Sequence, residues 1–115
     1  MNVTKKTKGS IGVYSLEGRI DFHPFDLLED SVLQDAIDTN MQYIILNFAE
    51  LKYISSLGIR YIYDIKNKLT KKGLHFAIVE VSEAIRQVFK LLGLMDTFSI
   101  YSTEEDAIKS FGAGS

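Results

Sequence analysis

Two adjacent hydroxyls, Ser55 and Ser56, stand between the apolar segment ending at Ile54 and a stretch of helical periodicity that begins at Leu57. Side chains of this type in this position can do two different things. A serine at a helix start accepts a hydrogen bond from an orphan backbone amide, which typically contributes about 1 kcal/mol. It can also carry a phosphoryl group, and helix N-termini tolerate one because their unpaired amide protons and positive dipole end favour an anion. A phosphate there would leave the fold intact and change the surface, adding about -1.5 to -2 charges and a bulky solvated group. Each 1.4 kcal/mol of repulsion is worth about tenfold in affinity, so one phosphate in an interface can abolish a moderate complex. From residue types alone both roles stay open, and either serine can be the cap.

The remaining reactive residues are sparse. His23 lies two positions from Asp21, where a general base is conceivable but an ordinary loop histidine is far commoner. His75 opens an apolar run and reads as structural. No Gly-x-Ser-x-Gly elbow, phosphate-cradling glycine loop or metal-spaced histidine pair occurs, and the absence of cysteine excludes disulfides and thiolate metal sites. The sequence therefore points to a protein without catalytic residues, metal or cofactor.

The elements that would position the serines follow from hydrophobic spacing. Val3 to Lys8 and Gly12 to Ile20 read as strands joined by a Gly9-Ser10 hairpin turn. From Phe25, the positions Leu28, Val32 and Ala36, flanked by Leu33 and Ile37, describe one amphipathic helix ending near Asn40. Tyr43 to Phe48 is an apolar, branched run expected of a central parallel strand covered on both faces. A short loop then leads to a second helix, Leu57 to Lys72, with Gly58, Ile62, Ile65 and Leu69 on one stripe and Lys71-Lys72-Gly73 as its end.

His75 to Val81 reads as another strand, and Ser82 as the cap of a third helix with Ile85, Val88, Phe89 and Leu92 buried. Gly93-Leu94 suits a Schellman ending of that helix. A short strand over Phe98 to Tyr101 and a last helix started by Thr103-Glu104-Glu105-Asp106 complete the pattern. An initial hairpin followed by alternating strands and helices implies an α/β fold: a mixed sheet, its later strands parallel, with about four helices. Residues 1–111 are expected to form one domain and 112–115 a short flexible tail.

Composition bounds the functions available. A chain of 115 residues with 46% hydrophobic and 24% charged residues holds one core and should fold by itself. The basic N-terminal stretch has no apolar segment behind it, and no apolar run approaches membrane-spanning length, so a cytoplasmic protein without membrane insertion is expected. A net charge of -2 offers no general attraction to nucleic-acid phosphates. The lysines at 66, 68, 71 and 72 suit the C-terminal end of a helix.

Three segments, taken in order, resemble the STAS domains of bacterial anti-sigma factor antagonists. Gly18-Arg19-Ile20-Asp21 looks like the family's Gly-x-(Leu/Ile)-Asp, Tyr43 to Phe48 like its hydrophobic strand ending in Asp or Asn, and Ile54-Ser55-Ser56-Leu57-Gly58-Ile59 like the signature around its phosphorylated serine. Val88 to Leu94 and Phe98 are similar to its third helix and following turn. The resemblance implies that Ser56 is the phosphoacceptor, with Ser55 as the alternative, and that Asp21, Asn47, Ser55, Ser56, Leu57 and Gly58 belong to the partner-binding end. It implies a partner that is both anti-sigma factor and serine kinase, with a histidine-kinase-like ATPase fold, and a serine phosphatase that reverses the modification. Kinase nucleotide and phosphatase metal would belong to those partners. Ser55 replaces the acidic residue many members carry before the acceptor, and bulky Leu57 stands where Ser or Ala is common. The alternative is a STAS module serving as an unmodified scaffold or regulatory subunit, with Ser56 merely a helix cap.

Overall fold

The computed structural model describes residues 1–20 and 25–112. Strands β1 (Asn2–Lys8) and β2 (Ile11–Ile20) form the expected antiparallel hairpin, with Lys8 opposite Ile11. Strands β3 (Tyr43–Asn47), β5 (His75–Val79) and β6 (Ile100–Tyr101) continue the sheet in parallel, in the order β1-β2-β3-β5-β6. Among the described residues, four helices accompany the strands, the last following β6. The first, α1, joins Phe25–Leu28, Glu29–Gln34 and Asp35–Asp38, and α2 spans Ser56–Lys71, α3 Glu83–Leu91 and α4 Glu104–Phe111. The α/β class, the mixed sheet and the helix count agree with the sequence reading.

The central strands are apolar on both faces because both faces are covered. Ile44 and Leu46 of β3 and Phe76 and Ile78 of β5 face a large core shared with Leu28, Val32 and Ala36 of α1, Ile59, Ile62, Ile65 and Leu69 of α2, and Ile85 and Phe89 of α3. Ile45, Ala77 and Val79 face a smaller core with Ile11 and Val13, closed by Ala107, Ile108 and Phe111 of α4. Three helices thus cover one face and one helix the other. The ends of α2 and α3 are both closed by glycine: the amide of Leu74 donates to the Leu69 carbonyl (3.0 Å) and that of Leu94 to the Phe89 carbonyl (2.9 Å), the 6→1 bond of a Schellman ending.

Leu92, expected on the buried stripe of the third helix, is its C-cap and 43% exposed, and two elements also differ from the sequence reading. The segment after β3 is not a plain loop: Leu51–Ile54 forms a short strand, β4, parallel to the far end of β2. Gly18 makes that possible, since its φ of 98° lets β2 turn away from β3 between its two partners, and its amide reaches the Glu50 carbonyl at 3.1 Å. β4 is hidden in the sequence because its pattern is buried-exposed-exposed-buried, without the alternation of a half-buried strand. The second difference lies in α1, whose middle, Glu29–Gln34, is a π-helical segment with the wider i→i+5 bonding. The apolar stripe survives it, Leu28, Val32 and Ala36 being fully buried, so hydrophobic spacing could not reveal it.

Downstream of the π segment, Asp35 ties α1 to the hairpin. The fully buried Tyr14 donates its phenolic proton to Asp35 Oδ2 at 2.6 Å, and Lys5 Nζ lies 2.6 Å from the same oxygen. Lys5 also donates to Thr39 Oγ1 (2.9 Å), which donates to the Asp35 carbonyl (2.7 Å). Burial, then the bond to Asp35 and its charge, push the Tyr14 phenol well above its ordinary range. Burial alone would raise the Asp35 carboxyl, but the hydrogen bonds from Lys5 and Tyr14 and the Lys5 charge outweigh it and hold the group below the usual carboxylate range.

A carboxyl with a depressed folded-state pKa contributes stability that is complete above its unfolded value of about 3.9 and disappears as pH falls through the folded value. Urea unfolding of the wild type and Asp35→Asn is therefore expected to show a stability gap that is constant from about pH 7 to 5 and narrows below about pH 4. A gap independent of pH would show that the Asp35 charge contributes nothing.

Candidate functional site

Everything about the Ser55-Ser56 segment is set by how α2 starts. Ile54, the last residue of β4, is buried beside Ile20, its partner across the β2–β4 ladder. The chain is held there by the Ser55 amide, which donates to the Ile20 carbonyl at 2.8 Å. Ser55 is extended (φ -80°, ψ 164°), and its Oγ accepts from the Gly58 amide at 3.0 Å while its carbonyl accepts from Ile59 at 3.0 Å. Ser55 is therefore the N-cap, half-buried, and Ser56 is the first residue inside the helix, exposed to solvent.

Gly58 fixes how close α2 comes to the sheet. A Cβ at this position would lie 2.5 Å from Ile20 Cγ2, closer than carbon atoms pack, and 3.0 Å from Ile54 Cγ1, a tight contact. Both isoleucines are buried and branched, so they cannot swing aside cheaply. The missing side chain seats the first turn against β2 and β4 and leaves Ser56 and Leu57, the latter 37% exposed, on the outer surface.

Among the described residues, neither a histidine nor a metal-binding cluster stands beside Ser56. His75 sits at the first position of β5, whereas α2 starts beside the last residues of β2 and β4, and its ring stacks on Tyr43 with centroids 5.0 Å apart. Among the described residues no group of three His, Asp or Glu could hold a metal ion. Asp21 and His23 lie outside the described residues. The first turn of α2 carries no acidic residue, and the exposed cations Lys52 and Arg60 flank it in sequence. An added anion at Ser56 would meet free amide protons and positive charge.

Asn47 is committed elsewhere. Its Nδ2 donates to Glu104 Oε2 at 2.7 Å and its Oδ1 accepts from the Ala49 amide at 2.8 Å. Glu104 in turn pairs with Lys6 at 2.8 Å. The side chain thus joins the end of β3 to the start of α4, on the face opposite the one α2 covers, and the structure does not bring it together with the serines. In contrast, Arg19 and Tyr53 were not legible as neighbours. They are paired by the β2–β4 register, and the guanidinium lies 4.3 Å from the ring centroid. Only recognition of β4 could have found them.

Residues 2–107 match the family model described as STAS domain. A Mycobacterium tuberculosis relative named anti-sigma-F factor antagonist RsfB is 24% identical over 114 residues, 99% of this chain and 92% of that protein. The crystal structure of an anti-sigma factor antagonist from Mycobacterium paratuberculosis superimposes with a TM-score of 0.81 at 23% identity, over 95% of this chain and 92% of its own. The Bacillus cell fate determinant SpoIIAA in its phosphorylated form gives 0.68 at 23% identity, over 96% and 99%.

The division between cap and exposed serine is testable by urea unfolding. Ser55→Ala is expected to cost about 1 kcal/mol through loss of the cap, and Ser56→Ala less than about 0.5 kcal/mol; the reverse order would put the cap at Ser56. Gly58→Ala, although alanine is the better helix former, is expected to destabilise by about 1–3 kcal/mol through overpacking against Ile20 and Ile54. A neutral or stabilising result would mean that α2 can move off the sheet freely.

Proposed function

The chain belongs to the STAS domain family, and we propose that it is an anti-sigma factor antagonist, a non-catalytic cytoplasmic switch that binds its partner through the start of α2 and is turned off by phosphorylation of Ser56. The partner is an anti-sigma factor that also acts as the serine kinase, with a histidine-kinase-like ATPase fold. Release of a sigma factor from that partner is the output, and a serine phosphatase resets the switch. Asp21, Ser55, Leu57 and Gly58 complete the proposed partner-binding end, Gly58 and Ser55 by shaping it and Leu57 by contact, whereas Asn47, which the family resemblance also put there, is engaged with Glu104 of α4.

The observation that carries this reading is the unequal position of the two hydroxyls. Ser55 spends its oxygen on the Gly58 amide inside the cap, while Ser56, one residue on, is exposed at the first helical position. A kinase can reach Ser56 without opening the helix, and a phosphate there lies next to orphan amide groups rather than in the core. The names of the relatives support the partner class: RsfB is named as an anti-sigma-F factor antagonist, and SpoIIAA is a protein of the same fold that exists in a phosphorylated form. No helix among the described residues is long and apolar enough to cross a membrane.

Ser56→Asp places a negative charge on the proposed contact surface and touches no core residue. It is expected to weaken binding to the kinase-like anti-sigma factor at least about tenfold, equivalent to about 1.4 kcal/mol, with the thermal midpoint within a few degrees of wild type. Calorimetric titration and thermal unfolding read the two quantities. Unchanged affinity would remove Ser56 from the interface, and global unfolding would make it a structural residue.

A further inference from the structure

One cation on the helix of Ser56 has no ion pair or ring contact among the described residues. Arg60 is exposed, lies four residues after Ser56 on α2, and makes no ion pair or ring contact with any described residue. Lys52, the other exposed cation flanking this turn in sequence, is likewise without an ion pair among the described residues but lies on β4, outside the helix. Arg19 is stacked on Tyr53, and Lys68, farther along the same helix, approaches Glu29 at 3.5 Å. Asp64, one turn beyond Arg60, could compete for it but makes no ion pair with any described residue. Among the described residues, Arg60 is thus held by no ion pair or ring contact in the unmodified protein.

Its spacing from Ser56 is the helical i, i+4 relation, which brings Cβ atoms to about 5–6 Å on one face of the helix. In that geometry the long arginine side chain can fold back toward the N-terminus, and its planar fork can meet two phosphate oxygens at once. We propose that Arg60 is the internal counter-ion of phosphorylated Ser56, so that modification both adds an anion to the docking surface and withdraws a free guanidinium from it. The inference rests on Ser56 being the phosphoacceptor, as proposed above.

The pairing has a consequence for the partner. In the unmodified protein, Arg60 is free to meet an acidic side chain on the docking partner, next to the exposed Leu57. After phosphorylation the same guanidinium is occupied within the helix, and the partner's acidic group faces a phosphate instead. One covalent change then reverses the local charge twice over: an attraction is removed and a repulsion is introduced. Lysine would serve less well, because an ammonium is a strongly hydrated point charge that cannot bind two oxygens side by side.

The test is a thermodynamic cycle on the full chain, with phosphoserine installed genetically at position 56 and verified by intact mass. Thermal unfolding is measured for Ser56 and phosphoserine-56 forms, each with Arg60, Arg60→Lys and Arg60→Gln. The midpoint change on phosphorylation is expected to be about 2–4 °C more favourable with Arg60 than in the Arg60→Gln protein. Arg60→Lys should fall between, and the difference should shrink in 1 M salt, where an exposed pair is screened. The cycle subtracts any effect of the substitution on the unmodified fold. Equal midpoint changes in all three backgrounds would overturn the pairing. Phosphopeptide mapping of the protein from its own cells tests Ser56 as acceptor separately: an unmodified Ser56 there would defeat the proposed switch while leaving the measured coupling as it stands.

Discussion

The architecture of the site depends on one close approach. With no side chain at position 58, the first turn of α2 rests directly on Ile20 and Ile54, at a separation where a single added carbon would overlap Ile20 and crowd Ile54. That contact locks together three things that are far apart in sequence: the end of the long hairpin strand, the short strand β4 and the helix that carries the serines. Interiors are packed too densely to absorb an extra methyl group by uniform relaxation. Position 58 therefore sets the height of α2 above the sheet, and with it the exposure of Ser56 and Leu57 at the surface.

Around this contact the polar groups divide their work. The Ser55 amide and hydroxyl are both taken by backbone partners, Ile20 and Gly58 respectively, so the cap belongs to the fold. Ser56 follows immediately and is exposed, in a first turn without acidic side chains. A helix end of this kind can accept a negative charge without rearrangement, because the electrostatic environment that favours an anion exists before one arrives. Fold stability and surface charge are thereby assigned to neighbouring residues, and a change in the second need not disturb the first.

The two faces of the sheet are held by different means. The face under α1, α2 and α3 is a continuous apolar core, reinforced at the hairpin by the Tyr14, Asp35 and Lys5 cluster. On the opposite face, among the described residues, α4 is the one helix, and its short apolar side is supplemented by Asn47 and Lys6 meeting Glu104. A short helix buries little area, so polar contacts at its first turn help to fix its position on the sheet. This explains why Asn47, at the end of a central strand, is engaged with α4 and not with the serines.

The sequence alone determined the features that arise from local chemistry and periodicity. The hairpin, the doubly buried strands, the stripe of α2, the Ser82 and Thr103 caps and the glycine endings were legible because each is written in residues adjacent along the chain. The Ser55-Ser56 pair was legible as a helix start for the same reason, but both serines have the chemistry of a cap, so local propensity could not divide cap from exposed residue. That division came only when β2 supplied the Ile20 carbonyl to anchor Ser55. Strand β4, the Asp35 cluster and the engagement of Asn47 were likewise decided by tertiary structure. Each is fixed by a partner distant in sequence, and neither hydrophobic spacing nor capping preference carries information about which distant residue will arrive.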